Sequence, residues 1–370
     1  MRVAIDTRKL HDFGIGTYIR NLLRHLARLD RTSEYILLCR PEDCQTIRAL
    51  GANFRPVVDR SGHYSVREQI SVPITVAREK VDVFHAPHYV LPTLTPSRSV
   101  VTIHDCIHLM FPQYLPYRLA QAYARAVMHS ATTRASRILT VSESSKRDIL
   151  RFCSVSPDKI TVIYNAIDER FRIAPTDDAM TRVRERYQLD DPFVLYVGNV
   201  KPHKNVERLI EAFALVRQQR SDGLKLMIIG DEISKHQMLR RAVHSHKLHK
   251  HVRFLGFVPE VTLSVLYRLA GVFVFPSLYE GFGLPPLEAM ACGAPVITSK
   301  VSSLPEVVGD AAVLVDPHSS QEIADAILRV LSDSALAADL RAKGFARAQA
   351  FSWPRSVTRT LEIYREVANS

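Results

Sequence analysis

No apolar run in the 370-residue sequence approaches the 18 or so residues needed to cross a bilayer, so no membrane-spanning helix is expected. The opening MRVAIDTRKL reads as a first strand and not as a signal peptide, which gives the cytoplasm as the expected compartment. Cysteine is scarce: Cys39, Cys44, Cys106, Cys153 and Cys292 form an odd set without a C-x-x-C pair. That pattern suits reduced, mostly buried thiols and argues against a disulfide framework, a zinc knuckle or redox chemistry. Short repeats and low-complexity tracts are missing as well. In DFGIGTYIRNLL a dinucleotide fingerprint would need glycine at position 19, which is Ile19, so a nicotinamide site loses its support.

What is present describes an ordinary globular chain, with 46% hydrophobic and 24% charged residues. At this length two domains of roughly 170 residues each are expected. The net charge of +11 is uneven. Residues 1–170 hold 24 Lys and Arg against 16 Asp and Glu, a surplus of 8, which leaves only 3 for the rest. Basic and aromatic residues do not interleave as they would on a base-stacking surface, so nucleic acid is not an expected partner. An anionic membrane surface or a phosphorylated lipid fits the basic half better, beside the plainer reading of a solvated face.

Short β-branched runs alternate with helical patterns along the chain: RVAID, EYILLC, VDVFH, SVVTIH, RILTVS and KITVIY, then FVLYVG, LKLMIIG, HVRFLG, GVFVFP, APVITS and AAVLVD. Such alternation specifies parallel sheets with helical crossovers, an α/β class. In residues 116–135, Leu119, Ala122, Tyr123, Ala126 and Val127 share a helical face and are expected to pack into the core. The polar stretch 173–191 reads as a linker. The expected plan is a Rossmann-like domain over 1–172 and a second over 192–350, with ligands at the carboxyl ends of both sets of strands. A final amphipathic helix over 351–370, with Ser352 as its cap, should pack back on the first domain.

Three constellations carry candidate chemistry. Gly14 and Gly16, after the first strand, let the backbone approach a ligand, and Thr17 opens a helix whose amides favour an anion; a purely structural turn explains them too. In YVGNVKPHKNVERLIEAF, Lys201 and Lys204 follow a strand, and Asn205 is placed to cap the next helix. In YEGFGLPPLE, Glu280 sits at the end of a strand and Glu288 in the first turns of a helix begun by prolines. A carboxylate accepts two hydrogen bonds at once, which suits neighbouring hydroxyls on a sugar ring, and glycine amides between the two acids bind oxygens. A helix-dipole role would explain Glu288 but not Glu280. His85 and His88 in HAPH have a metal-compatible spacing but no third ligand in sequence, so no metal site is expected. His11, Asp12, His63 and Tyr64, in loops of the first half, are placed either to touch a ligand or to serve as ordinary loop polarity.

Glu280 and Glu288 within EGFGLPPLEAMACGAPVI resemble the E-x7-E motif of the retaining glycosyltransferases of family 4 (group 1). The segments GIGTYIRNLL, VFHAPHYVLP, TIHDCIHLMFP, VSESSKRDI, VIYNAID, FLGFVP and the final FSWPRS follow the same family order, and the pattern is similar to its mannosyltransferase-like branch. The resemblance implies the two-domain GT-B fold and a hexosyltransferase. Its donor would be a nucleotide sugar, best matched by GDP-mannose, and its acceptor a saccharide or lipid-linked saccharide in cell-surface polysaccharide synthesis. By the same resemblance Glu288 would hold the ribose and Glu280 the moving sugar, while the amides of Phe282, Gly283 and Leu284 face sugar and distal phosphate. Lys204 would neutralise the diphosphate, joined by Gly16; Asn199 stands where the family frequently has an arginine, a charge that Lys201 could replace. His104 would lie near the sugar carbon with Asp105 beside it on the acceptor side, the side to which the loop position of His11 also assigns that residue. The chain has no D-x-D pair of the kind that holds a cation in metal-dependent transferases, so metal-independent, front-face transfer is the expectation, with no cofactor. The competing expectations are a UDP-sugar-dependent transferase of the same family, a sugar-nucleotide epimerase, and a non-catalytic sugar-nucleotide binder.

Overall fold

The structure, a computed structural model, describes residues 1–115, 117–230 and 236–370. The chain divides into two compact units: Met1–Asn165 with Ser352–Ser370, and Ala166–Phe351.

Unit 1 is built on a seven-stranded parallel sheet in the order β3-β2-β1-β4-β5-β6-β7. The strands are β1 (Arg2–Asp6), β2 (Glu34–Cys39), β3 (Phe54–Val58), β4 (Val83–Ala86), β5 (Arg98–Ile103), β6 (Arg137–Thr140) and β7 (Ile160–Val162). Unit 2 carries a six-stranded parallel sheet in the order β10-β9-β8-β11-β12-β13. Its strands are β8 (Phe193–Gly198), β9 (Lys225–Gly230), β10 (Val252–Gly256), β11 (Val272–Phe275), β12 (Val296–Ser299) and β13 (Ala312–Val315). Buried on both faces, these strands read as nearly continuous apolar runs, and for that reason twelve of the thirteen are recognisable in sequence. The exception, β3, contains Pro56; proline cannot donate to a ladder, and β3 accordingly lies at the sheet edge.

In each unit the strand order reverses once, between β1 and β4 and between β8 and β11. The loops that follow adjacent strands of such a pair diverge to opposite faces and leave a crevice at the carboxyl ends of the strands.

Several local expectations change. Residues 173–191 are not a bare linker: they hold the helix Asp177–Tyr187 inside unit 2, capped by Thr176, whose hydroxyl accepts from the Ala179 amide. The helix after β1 starts at Phe13, so Gly14, Gly16 and Thr17 lie within it and do not precede it. The helix Arg118–Arg134 buries Ala124, Met128, Ala131 and Thr132, whereas Leu119 is 84% and Tyr123 42% exposed. This helix carries small apolar residues on both faces; the sheet took the Ala and Met face, which allows closer approach, and the expected core stripe points to solvent. Together with Glu68–Arg78, whose Val72 and Val76 join the same core cluster, it covers one face of sheet 1. The last helix, Trp353–Asn369, packs on Phe13–Leu29 within unit 1; Ser352 occupies its cap position without a side-chain cap bond. All five thiols are free.

Candidate functional site

The reversal in unit 2 lies between β8 and β11, and the loops after these strands carry Lys204 and Glu280. Lys204 Nζ donates to both carboxylate oxygens of Glu280, at 2.6 and 2.8 Å. Both side chains are mostly buried, 15% and 11% exposed, and the ammonium also lies 5.4 Å from the Phe275 ring centroid. A short turn, Pro202–Lys204, brings the lysine there, and the buried His203 fixes the turn by accepting the Leu278 amide at 2.7 Å. Asn205 stands at the helix N-cap expected from sequence but makes no side-chain cap bond. With φ of 60° its side chain turns away and donates to the carbonyls of Pro276 (3.0 Å) and Pro317 (2.7 Å), tying the turn to the loops after β11 and β13.

Glu280 is held through its backbone by two serines that sequence reasoning did not single out. Its amide donates to Ser302 Oγ (3.1 Å), and Ser302 donates back to its carbonyl (2.5 Å). Ser303 Oγ donates to the carbonyls of Glu280 (2.9 Å) and Phe282 (2.8 Å). The available signal was the Ser-Ser pair just beyond β12, the strand neighbouring β11. The helix Leu284–Cys292 then starts with Leu284 and the pair Pro285 and Pro286. Gly283, at φ of 107°, is its cap; a Cβ there would meet Leu304 Cδ2 at 2.8 Å, so both the turn and the packing require glycine. The amide of Leu284 opens the helix, where the intrahelical ladder supplies no partner. Phe282 is buried, its ring edge-on to Phe351 with centroids 5.6 Å apart, so its side chain is core and only its backbone can serve a ligand.

Glu288 is half-buried and accepts a hydrogen bond from the Tyr267 hydroxyl (3.1 Å). Burial pushes its carboxyl up to about 7, which the Tyr267 bond opposes, and the Asp168 carboxylate adds to the rise. Asn199 follows β8 directly; its Oδ1 is buried without a hydrogen-bond partner, whereas Lys201 is exposed. The structure therefore brings Lys204 and Glu280 together and places Glu288 in the helix that the Glu280 loop leads into.

In unit 1, His104 follows β5, with Nε2 donating to the Pro87 carbonyl (2.9 Å) and its ring edge-on to Tyr18 at 4.9 Å. Burial lowers its basicity. Asp105 Oδ1 accepts the Ile107 amide (3.0 Å) and so starts the short helix Ile107–Met110. Gly16 has a local reason: a Cβ would lie 2.5 Å from the Leu10 carbonyl oxygen. His11, exposed, is paired with the buried Asp43 carboxylate at 2.7 Å. His85 is fully committed, with Nδ1 on the Tyr364 hydroxyl (2.5 Å) and Nε2 on Thr102 (2.8 Å). Burial pushes it down to about 3, so it is neutral. The two HAPH histidines therefore do not share a ligand. Instead the donor atoms of His63, Glu68 and His88 lie within 4.8 Å of one another.

Beneath that trio runs a buried ionic network. Arg8 donates to both oxygens of Asp6 (2.8 and 2.6 Å), to Glu68 Oε1 (2.6 Å) and to Ser61 (2.6 Å), with Asp59 at 3.6 Å. Burial alone would raise the Asp6 carboxyl, but the Arg8 guanidinium holds it far below the usual range.

Sequence and structure comparisons agree with this arrangement. Residues 14–171 match the model of "Glycosyltransferase Family 4" and residues 179–347 that of "Glycosyl transferases group 1". The chain is 35% identical over 284 residues to O-antigen chain mannosyltransferase B of Escherichia coli, covering 76% of this chain and 74% of the relative. It is 30% identical to the serotype-specific mannosyltransferase WbdA of E. coli over 74% of this chain, but spans only 34% of that longer protein. The fold matches sucrose-phosphate synthase from Thermosynechococcus elongatus with a TM-score of 0.82 over the whole of both chains, at 24% identity. With both halves matched in order and each unit a Rossmann-like parallel-sheet domain, the chain belongs to the group 1, family 4 glycosyltransferases and is a hexosyltransferase of GT-B fold.

Proposed function

We propose that this glycosyltransferase moves mannose from GDP-mannose to a saccharide or lipid-linked saccharide acceptor in cell-surface polysaccharide synthesis. The observation that carries the reading is the Lys204–Glu280 pair at the strand-order reversal of unit 2, taken with the 35% identity to a mannosyltransferase. The salt bridge holds each group ready for a different part of the donor. When a sugar diphosphate enters, the ammonium turns to the phosphates and the carboxylate is released to accept two sugar hydroxyls.

Cleavage of the bond between sugar and diphosphate leaves negative charge on phosphate and positive charge on the ring. Lys204 and the amides at Gly283 and Leu284 stabilise the leaving group. Glu280 binds the sugar and is not a nucleophile; the acceptor oxygen bonds to the anomeric carbon on the face from which the diphosphate departs and gives its proton to that phosphate, so configuration is retained. Glu288 receives the ribose hydroxyls, and the family resemblance assigns His104 and Asp105 to the transferred sugar and the acceptor. Gly16 remains a diphosphate contact in this reading, and Asn199, whose Oδ1 lacks a partner, offers an acceptor to a donor hydroxyl. We assign no metal to the reaction.

The acceptor's lipid part accounts for the surface of unit 1. Two helices packed on the same core cluster expose Ile70 and Ile74, and Leu119 and Tyr123, and Arg67, Arg118 and Arg125 on or next to these helices are exposed too. Exposed apolar side chains and arginines on the same helices suit peripheral contact with an anionic bilayer at the cytoplasmic side. Among the described residues no helix is long and apolar enough to cross a membrane.

The deciding experiment is a donor screen by thermal shift and slow hydrolysis with GDP-, UDP- and ADP-sugars. GDP-mannose should give the largest shift and be consumed, and NMR of the product should show retained configuration with a rate unchanged by EDTA. A preference for a UDP-sugar would replace the donor, conversion without acceptor to an isomeric sugar nucleotide would indicate an epimerase, and binding without turnover a sensor.

A further inference from the structure

Tyr64 has φ of 60°, a left-handed conformation that is costly for an aromatic residue. What holds it is Glu68, whose Oε2 accepts the Tyr64 amide at 2.8 Å while Oε1 is clamped by Arg8 at 2.6 Å. The buried ionic network thus fixes the backbone of one loop residue. The Tyr64 ring, 43% exposed, lies 6.2 Å from the ring of Tyr89, with Lys9 Nζ 5.1 Å from its centroid. Tyr89 in turn stands edge-on to His108 at 6.2 Å.

Next to these rings two buried histidine nitrogens lack partners. His88 is 2% exposed; its Nδ1 accepts the Val90 amide at 3.1 Å, so Nε2 bears the hydrogen. That donor has no hydrogen-bond partner: the nearest carboxylate oxygen, Asp6 Oδ2, is 3.6 Å away and already bonded to Arg8. His63 Nδ1 is likewise unpartnered, and the two rings are 6.3 Å apart and perpendicular. Burial, with Lys9 and Arg8 nearby, lowers His63 to about 4, so it is neutral at physiological pH. Native proteins rarely leave buried donors unsatisfied without a use for them.

A divalent cation does not fit the trio. The lone pair of His88 is spent on Val90, and Glu68 already carries a guanidinium that would face the ion. A hydroxyl matches their chemistry, because it can accept from His88 Nε2–H and donate onward to a neutral imidazole, while the C–H face of a sugar ring suits an aromatic ring. The position is right as well: His88 follows β4 and Arg8 and Lys9 follow β1, the two strands flanking the order reversal of unit 1.

We propose that His63, His88, Tyr64 and Tyr89 form the subsite for one uncharged hexose ring of the acceptor, with the two histidines reading its hydroxyls and the tyrosines its face. The inference rests on the mannosyl-transfer reading above, which takes a saccharide acceptor, and it commits to one that ends in mannose. The test uses the full chain, with methyl α-mannoside and α-linked mannobiose as probes in saturation-transfer NMR without donor, beside acceptor KM with GDP-mannose. Wild type should show transfer to ring C–H protons. Tyr64→Ala and His63→Ala should weaken probe binding and raise acceptor KM about tenfold or more, with His63→Gln, which keeps a hydrogen-bonding group, in between. Circular dichroism establishes that each variant is folded, and Tyr64→Gly, which relieves the strained φ, separates lost ring from lost fold.

Unchanged probe binding in folded variants would overturn the proposal, as would a wild type that binds neither probe, or stoichiometric zinc uptake from ZnCl2 that His63→Ala abolishes. Mannobiose binding at this subsite with no GDP-mannose hydrolysis would overturn the donor reading alone.

Discussion

Lys204 and Glu280, 76 positions apart, form a two-pronged ion pair across the strand-order reversal of the second sheet. Removing one partner leaves a charge 11 to 15% exposed without its counter-ion. Lys204→Ala and Glu280→Ala should each destabilise the protein by about 1–3 kcal/mol, and the double variant by clearly less than the sum. Urea denaturation of the full cycle measures this, and additive losses would mean that the pair is not coupled. Transfer should fall ten- to a hundredfold or more in each folded single variant if the contact acts in the transition state, about 1.5–3 kcal/mol. Near-normal turnover would remove both residues from the site.

Glu288 supplies a pH dependence whose sign is fixed. Its folded carboxyl is raised to about 7 from an ordinary 4.5, so the folded protein holds a proton that the unfolded chain has released. Stability should therefore fall as pH rises from about 4.5 to about 7, by up to roughly 3 kcal/mol, and Glu288→Gln should flatten that slope. Affinity for the nucleotide should move the other way, because two ribose hydroxyls are best received by the ionised form. Denaturant melts and GDP titrations across this range test both halves.

Arg8 is the only cation shown bonded to both Asp6 and Glu68 in their buried network among the described residues. Arg8→Ala should destabilise unit 1 by about 3–5 kcal/mol, since the carboxylates remain buried and repel one another. A loss below about 1 kcal/mol would show that water or rearrangement screens them.

His85 ties the last helix to β4 through Tyr364. Its folded pKa is depressed to about 3 against an ordinary 6.5, so its contribution is complete above pH 6.5 and is lost as pH falls toward 3. Tyr364→Phe should cost about 1–3 kcal/mol by leaving the imidazole nitrogen unbonded. Hydrogen exchange should show Trp353–Asn369 loosening first on acidification.

Two glycines of one helix should respond oppositely to alanine. A Cβ at Gly14 meets nothing within 4 Å, so Gly14→Ala should stabilise by about 0.5–1 kcal/mol through helix propensity. At Gly16 it would meet the Leu10 carbonyl oxygen at 2.5 Å, and Gly16→Ala should destabilise by about 1–3 kcal/mol. A Gly16 variant of full stability but weakened donor affinity would restore ligand contact as the reason for this glycine.

Twelve strands were legible because fully buried parallel strands are apolar from end to end; β3, exposed at an edge and carrying Pro56, lacked that signature. The Glu280 loop was legible because glycines, prolines and two acids at fixed spacing leave few backbone solutions. Its clamp by Ser302 and Ser303 was not, since single serines say nothing until the neighbouring strand sets them beside the loop. The stripe of Leu119 and Tyr123 faces solvent and not the core, because periodicity gives a helix its faces but not which of two apolar faces the sheet will take. His63, Tyr64 and His88 come together around Glu68, where the loops after β1, β3 and β4 meet, a relation invisible along the chain.

The membership of Ser352–Ser370 in unit 1 has a consequence for synthesis. A ribosome delivers Met1–Asn165 first, yet the helix that covers one face of that sheet arrives roughly 200 residues later. At 5–20 residues per second the delay is about 10–40 s. Throughout it, the apolar face of Phe13–Leu29 that Trp353–Asn369 will cover stays open, so unit 2, whose chain is continuous, can finish folding before unit 1 does.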